Sequence, residues 1–236
     1  MLRHLFTARA GGVSAAPYDS LNLGHHVGDD PAAVAANRAR LGVDPERIVW
    51  MDQVHSTTVR VVDAPAAAPL PATDAVVTDR PGVVLAVLVA DCVPVLLGDA
   101  EAHVVAAVHA GREGAAGGIV PAAVETMVSL GARPERVTAW LGPAAGGASY
   151  EVPAEMAADV ERTLPGSRST TAAGTCGLDL RRGLAAQLRA AGVAEIHVDP
   201  ADTITDARFF SHRREGTTGR QAGLVWCERG SEDDRD

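Results

Sequence analysis

VLVADCVPVLLGDAEAHVVAAVHAG, residues 87–111, overlaps two apolar runs, 83–97 and 104–109. Both are rich in Val and too short for surface helices, and strands covered on both faces carry no polar alternation. They are predicted as buried strands. Cys92 sits where Asp91 and Pro94 break the first run and His109 ends the second, and reactive groups are often found at strand ends.

Working outward, residues 7–30 (TARAGGVSAAPYDSLNLGHHVGDD) have neither a helical nor a strand period and read as a structured loop. Pro31 then opens an Ala-rich helix, predicted over 31–41, with Asp29 and Asp30 before it and Arg38 and Arg40 near its end, as the helix dipole favours. Residues 48–63 alternate in part and read as strand, and 64–71 as a surface excursion. Further helices are predicted over 119–130, 154–164 and 180–191, and strands over 137–141, 195–198 and 224–227. No repeat or long linker divides the chain, so one domain over 1–227 is expected. A disordered acidic tail is expected over 228–236.

The 236 residues are 47% hydrophobic and carry a formal net charge of −9. That charge argues against nucleic acid and acidic membranes as partners, because phosphate-backbone affinity needs a basic surface. All 21 basic residues are Arg and none is Lys, which removes Schiff-base chemistry and the Lys of a phosphate-binding GxxxxGK[ST] loop. Cys92, Cys176 and Cys227 are odd in number and widely spaced. With no apolar leader and no run of the ~20 apolar residues a span requires, a cytoplasmic location is expected.

His55, in MDQVHS, joins Cys92 and His109 as a third candidate ligand. The three are too far apart in sequence for a local zinc knuckle and must meet through tertiary structure. Three readings stand side by side. A buried Cys can be a small hydrophobe beside two satisfied histidines, the set of one thiolate and two imidazoles suits zinc, and a Cys–His pair can act as nucleophile and base. Asp91 is a candidate general base or a partner behind a metal ligand. Arg38, Arg112, Arg213 and Arg214 are candidates for binding phosphate or carboxylate, and Ser14, Asn22, His25 and His26 for polar ligand contacts from the Gly-rich loop. The motifs HxE…PCxxC, HExxH, GxGxxG after a strand and GxSxG are absent. Eight histidines, most of them scattered, are too few for a multicopper oxidase, so copper is disfavoured against zinc.

The ordered motifs GGVS, SLNLG, HVGDDP, NR (Asn37, Arg38), QVH, TDAVVT, ADCVPVLL, HAG, LGP, YEV, FFSHRR and TGR resemble the YfiH/laccase-domain family of purine nucleoside phosphorylases. That family is also called polyphenol oxidase laccases or peptidoglycan editing factors. The resemblance runs from about residue 5 to 225. It implies an α+β fold, an α/β/β/α sandwich related to the catalytic domain of cytotoxic necrotizing factors. It also implies a Zn2+ ion held by His55, Cys92 and His109. The implied reaction is phosphorolysis of adenosine, guanosine, inosine or methylthioadenosine, with adenosine deamination as a second activity. Purine nucleoside and phosphate are then the partners; no feature identifies a partner protein. The anion-binding residue is expected to be Arg38 or Arg213, with Asn22 also at the substrate and Asp91 in the catalytic group. The alternative within the resemblance is a metal-free Cys–His hydrolase acting on a cell-wall precursor.

Where relatives read HAGWRG this chain reads HAGREG, with Arg112 at the Trp position and Glu113 at the Arg position. A carboxylate in place of a guanidinium turns an anion contact repulsive unless Arg112 takes it over. The Cys often found between GPA and YEV is missing, and Asp202 stands where relatives often have Cys. Neither change touches the three ligand positions.

Overall fold

The computed structural model describes residues 1–228. In chain order its elements are β1 (Leu2–Phe6), α1 (Pro31–Arg38), β2 (Ile48–Val49), β3 (Val59–Val61), β4 (Ala75–Thr78), β5 (Val84–Val89), β6 (Val93–Asp99), β7 (Val104–Ala110), α2 (Arg112–Gly117), α3 (Ile119–Ser129), β8 (Thr138–Leu141), α4 (Ala154–Thr163), β9 (Arg168–Thr170), β10 (Cys176–Leu178), α5 (Leu180–Ala190), β11 (Glu195–Val198), α6 (His212–Glu215) and β12 (Gln221–Cys227). The fold is α+β. A four-stranded sheet ordered β1-β12-β5-β2 packs on a six-stranded sheet ordered β11-β8-β6-β7-β4-β3, and β9 and β10 form a separate pair.

Strand periodicity explains the layers. On β7, Val104, Ala106, Val108 and Ala110 face α3 and the helical side, while Val105 and Ala107 face the other sheet. On β5, Leu85, Val87 and Val89 enter that same inter-sheet core, and Val84, Ala86 and Leu88 face outward under Leu21, Leu23 and Leu41. Each sheet is thus covered twice, which is why these strands read as continuous apolar runs. Each buried Val or Leu contributes roughly 1.5–3 kcal/mol relative to exposure. The outer cover of the four-stranded sheet is mostly irregular chain.

Several boundaries differ from the sequence expectation. The run 83–97 is two strands in two different sheets, because the chain crosses between sheets at Ala90, Asp91 and Cys92. Asp91 has φ +92° at this corner, a left-handed conformation costly for a residue with a side chain. The run 48–63 is likewise divided, with β2 and β3 in different sheets and the His55 loop between them. The first helix ends at Arg38 rather than 41. β1, β4, β9, β10, α2 and α6 are additional to the elements the sequence predicts. The expected disordered tail lies outside the described residues apart from Glu228, whose N–H donates to the Met1 carbonyl at 2.8 Å. No helix of the described residues is long and apolar enough to cross a membrane.

Candidate metal centre and anion cavity

The β6–β7 hairpin brings two of the three candidate ligands together. Pro94 pairs with His109 and Val93 with Ala110, so the register, carried one step further, sets Cys92 opposite Gly111. His109 shares the inward face of β7 with Val105 and Ala107, and is only 3% exposed.

His55 arrives on the loop between β2 and β3, and Asp74 organises that loop. The Asp74 carboxylate, fully buried, accepts the N–H groups of Val54 (3.2 Å), His55 (2.9 Å) and Ser56 (2.7 Å) and the Ser56 hydroxyl (2.7 Å). It also accepts a hydrogen bond from His109 Nδ1 at 2.8 Å, which directs Nε2 of that ring away from Asp74. His55 itself has φ +62°. The Gln53 amide bonds both backbone groups of Leu88, at 2.8 and 2.9 Å, and so fastens the loop to β5.

Gly111 and α2 supply the floor. A Cβ on Gly111 would lie 2.6 Å from His55 Cδ2 and 3.2 Å from Cys92 Sγ. One on Gly114 would lie 2.9 Å from the Ser56 carbonyl, and one on Gly117 2.7 Å from Thr57 Cγ2. The Gly-rich stretch after His109 is therefore a surface on which the His55 loop rests.

Cys92 Sγ is 3.7 Å from His55 Nε2, the two imidazole rings are 4.7 Å apart at 75°, and the three ligand atoms all lie within 4.8 Å of one another. Tetrahedral zinc with S and N ligands needs donor separations of about 3.4–3.6 Å. The donor set and spacing therefore fit a metal ion, with small side-chain movements. The electrostatics agree. Burial works to raise the Cys92 thiol, but His109 and His55 overcome it and bring it to about 6. Burial works to lower His109, yet Cys92 and Asp74 hold it up at about 9. Burial likewise works to raise Asp74, and the hydrogen bonds from His109 and Ser56 keep it well below the usual carboxylate range.

The trio opens on a cavity of about 320 Å³. Leu88, Val89, Ala145, Tyr150 and Leu180 form its less polar wall, and the guanidinium groups of Arg112, Arg213 and Arg220 its cationic one, with the His26 and His212 rings beside them. That size is at the lower end of small-molecule pockets. The Arg213 guanidinium lies 5.0 Å from the centre of the Tyr150 ring. His212 Nδ1 donates to the Gly216 carbonyl at 2.7 Å, leaving Nε2 as an acceptor when the ring is neutral.

The other sequence candidates are placed differently. Asp91 lines the cavity, but its oxygens accept from Thr203 Oγ1 at 2.7 Å and from the Arg213 N–H at 2.6 Å, so it positions Arg213. Asn22 is fully buried and does not line the cavity. Its amide bonds Gly24 at both ends, Asp29, and the Arg220 N–H at 2.9 Å. Arg38 also lies outside the cavity lining. It donates twice to the Leu23 carbonyl, at 3.0 and 2.8 Å, and sits 3.9 Å from the Trp50 ring centre. Burial without a carboxylate partner lowers it to about 10. Arg112 does line the cavity, and its Nη2 donates to Glu113 at 2.8 Å. Sequence reasoning gave no role to Asp74 or Arg220, although each lies inside a quoted motif, TDAVVT and TGR, which was the signal available for it.

The family described as multi-copper polyphenol oxidoreductase laccase matches residues 3–228. A purine nucleoside phosphorylase of Mycobacterium tuberculosis is 58% identical over 231 residues, covering 96% of this chain and 92% of its own. One from Streptomyces griseus is 57% identical over 229 residues, covering 94% and 93%. Among solved structures, YlmD from Geobacillus stearothermophilus superposes with a TM-score of 0.90 at 35% identity, covering 97% of this chain and 92% of that one. The hypothetical protein YfiH of Bacillus licheniformis gives 0.89 at 33% identity, covering 96% and 93%.

Proposed function

Because the chain belongs to the YfiH-like laccase-domain family and is closely related to bacterial purine nucleoside phosphorylases, we propose that it catalyses zinc-dependent phosphorolysis of purine nucleosides, adenosine, guanosine, inosine or methylthioadenosine, in the cavity beside His55, Cys92 and His109. Adenosine deamination is its second activity. The observation that carries this reading is the convergence of a three-ligand metal set and three arginines on one small cavity.

In phosphorolysis a phosphate oxygen forms a bond to C1′ of the sugar, the C1′–N9 bond breaks, and its electron pair leaves with the purine, which takes up a proton at nitrogen. The arginines of the cavity hold the phosphate dianion against the carbon on which positive charge develops, and orientation of the two reactants supplies much of the acceleration. Tyr150, Leu180 and Leu88 offer the base an apolar wall. His212, whose Nδ1 is held by the Gly216 carbonyl, leaves Nε2 to hydrogen-bond the base. His55, Cys92 and His109 would hold zinc, which would act as a Lewis acid and lower the pKa of water for deamination. Zinc rather than copper is favoured by the number of sites. Among the described residues one cluster of three ligands has metal-binding spacing, whereas multicopper chemistry needs several.

A panel of nucleosides assayed with and without phosphate tests the reading, alongside metal content. Expected are free purine only when phosphate is present, ammonia from adenosine in either case, about one zinc per chain, and loss of all three in Cys92→Ser. Full phosphate-dependent base release in a zinc-free Cys92→Ser protein would overturn it.

One arrangement favours a second reading. His109 stands between Asp74 and Cys92, with the thiol lowered to about 6, as in a nucleophilic Cys–His hydrolase. On that reading the substrate is an amide or ester of a cell-wall precursor. It requires activity that survives metal chelation and is abolished by alkylation of Cys92; activity lost on chelation and restored by zinc would exclude it.

A further inference from the structure

Three arginines reach the cavity, and they are not equivalent. Arg112 is already paired with Glu113, and Arg213 is exposed and lies over Tyr150. Arg220 is half-buried, and among the described residues no acidic side chain pairs with it within 4.0 Å. Its Nη1 donates to the carbonyls of Thr218 (3.0 Å) and Gly219 (2.9 Å), so neutral backbone groups fix one end of the guanidinium without neutralising its charge.

A separate part of the chain is built around it. The Arg220 N–H donates to Asn22 Oδ1 at 2.9 Å, and the Leu23 N–H donates to the Arg220 carbonyl at 3.0 Å. Gly24 leaves room for the side-chain stem: a Cβ there would lie 2.8 Å from Arg220 Cγ and 3.1 Å from its Cβ. Asn37 in turn donates to the Asn22 carbonyl at 2.9 Å, tying α1 to the same post. This is a considerable buried polar framework to hold one cation at the wall of a cavity. A fixed, unpaired guanidinium loses little freedom when an oxyanion binds, which is the condition for strong bidentate recognition.

We propose that Arg220 is the anchor for inorganic phosphate in this cavity, and that Asn22 and Gly24 are its positioning residues. The proposal deepens the phosphorylase reading and rests on it for the identity of the anion. Arg220 touches the phosphate; Asn22 and Gly24 act through Arg220. Arg112 is available as a second contact only when it releases Glu113.

The test uses the full chain with its metal. Steady-state kinetics give the KM for phosphate and for nucleoside separately, and 31P line broadening reports binding of inorganic phosphate alone. For Arg220→Gln the phosphate KM should rise about tenfold or more, while the nucleoside KM changes by less than about threefold. Line broadening should be lost in parallel. Arg220→Lys should fall between, because it keeps the charge but not the fork. Gly24→Ala, which crowds the stem and leaves Arg220 in place, should raise the phosphate KM as well, and it serves if Arg220→Gln does not fold. A folded Arg220→Gln protein with unchanged phosphate KM and unchanged line broadening would overturn the assignment. So would a wild type that broadens no phosphate signal. If the wild type releases no purine base yet binds phosphate through Arg220, the phosphorylase reading fails and the anchor stands.

Discussion

At the scale of single residues, Gly111 and Asp74 decide whether the three ligands meet. Gly111 has φ −71°, which any residue adopts, so the requirement for Gly there is steric and comes from the His55 ring. Gly111→Ala should therefore cost a modest ~1–3 kcal/mol in unfolding free energy, as overpacking does. Its larger effect should be on metal affinity, read by chelator competition. Asp74→Asn replaces an acceptor-only carboxylate that serves three N–H groups, a hydroxyl and an imidazole with a group that must also donate. Metal affinity should fall about 10–100-fold, the usual effect of losing the partner behind a ligand. Unchanged affinity in a folded Asp74→Asn protein would show that the His109 tautomer is set elsewhere. The three candidate ligands were visible in the sequence as residues, but composition and position left an inert buried thiol and a Cys–His pair equally open, and only the family resemblance joined them as one metal set. The role of Asp74 was not visible: no element is predicted over TDAVVT, and only the folded loop shows what its carboxylate collects.

At the scale of elements, the sequence shows strands but not the sheet each strand joins. Val84–Val89 and Val93–Asp99 are apolar on both faces, so nothing in their composition marks the passage from one sheet to the other at Asp91. Polar side chains fix these strands in place instead, Gln53 on β5 and Asp99 at the end of β6. Asp99 is fully buried and accepts from the N–H groups of Glu101 (3.0 Å), Ala102 (3.1 Å) and Arg133 (2.9 Å) and from Arg136 (3.0 and 2.8 Å). It joins the β6–β7 hairpin to the approach of β8. Burial works to raise its pKa, but those hydrogen bonds prevail and lower it below the ordinary carboxylate value. A carboxyl lowered on folding stabilises the native state above its unfolded pKa of about 3.9, and that contribution disappears as pH falls through the lower folded value. Asp99→Asn should accordingly cost about 1–3 kcal/mol in urea unfolding at pH 7. The gap to wild type should narrow as pH is taken below about 4. A gap independent of pH would mean that the loss is of packing, not of charge.

At the scale of the whole molecule, a chain of net charge −9 gathers Arg112, Arg213 and Arg220 with His26 and His212 around one cavity of about 320 Å³. The overall charge speaks against extended polyanions, yet it could not reveal this local reversal of sign. The reversal is tertiary: Arg112 follows β7, Arg213 lies in the first turn of α6, and Arg220 precedes β12. Charges concentrated in a cleft with low-dielectric walls attract a small anion and have little hold on a neutral nucleoside. Raising ionic strength from about 0.02 to 0.3 M shortens the screening length from roughly 20 to 6 Å, and so weakens the long-range part of that attraction. The phosphate KM should therefore rise several-fold over this range while the nucleoside KM stays nearly level, with chloride and acetate salts compared to separate screening from competition for the site. Glu113 belongs to the same balance, because its carboxylate occupies Arg112 at 2.8 Å. Glu113→Gln should lower the phosphate KM by a fewfold at low salt, with that advantage shrinking as salt is added. A nucleoside KM that climbs in step with the phosphate KM would point to salt acting on the protein as a whole, and a Glu113→Gln variant without any gain would leave Arg112 outside the anion's reach.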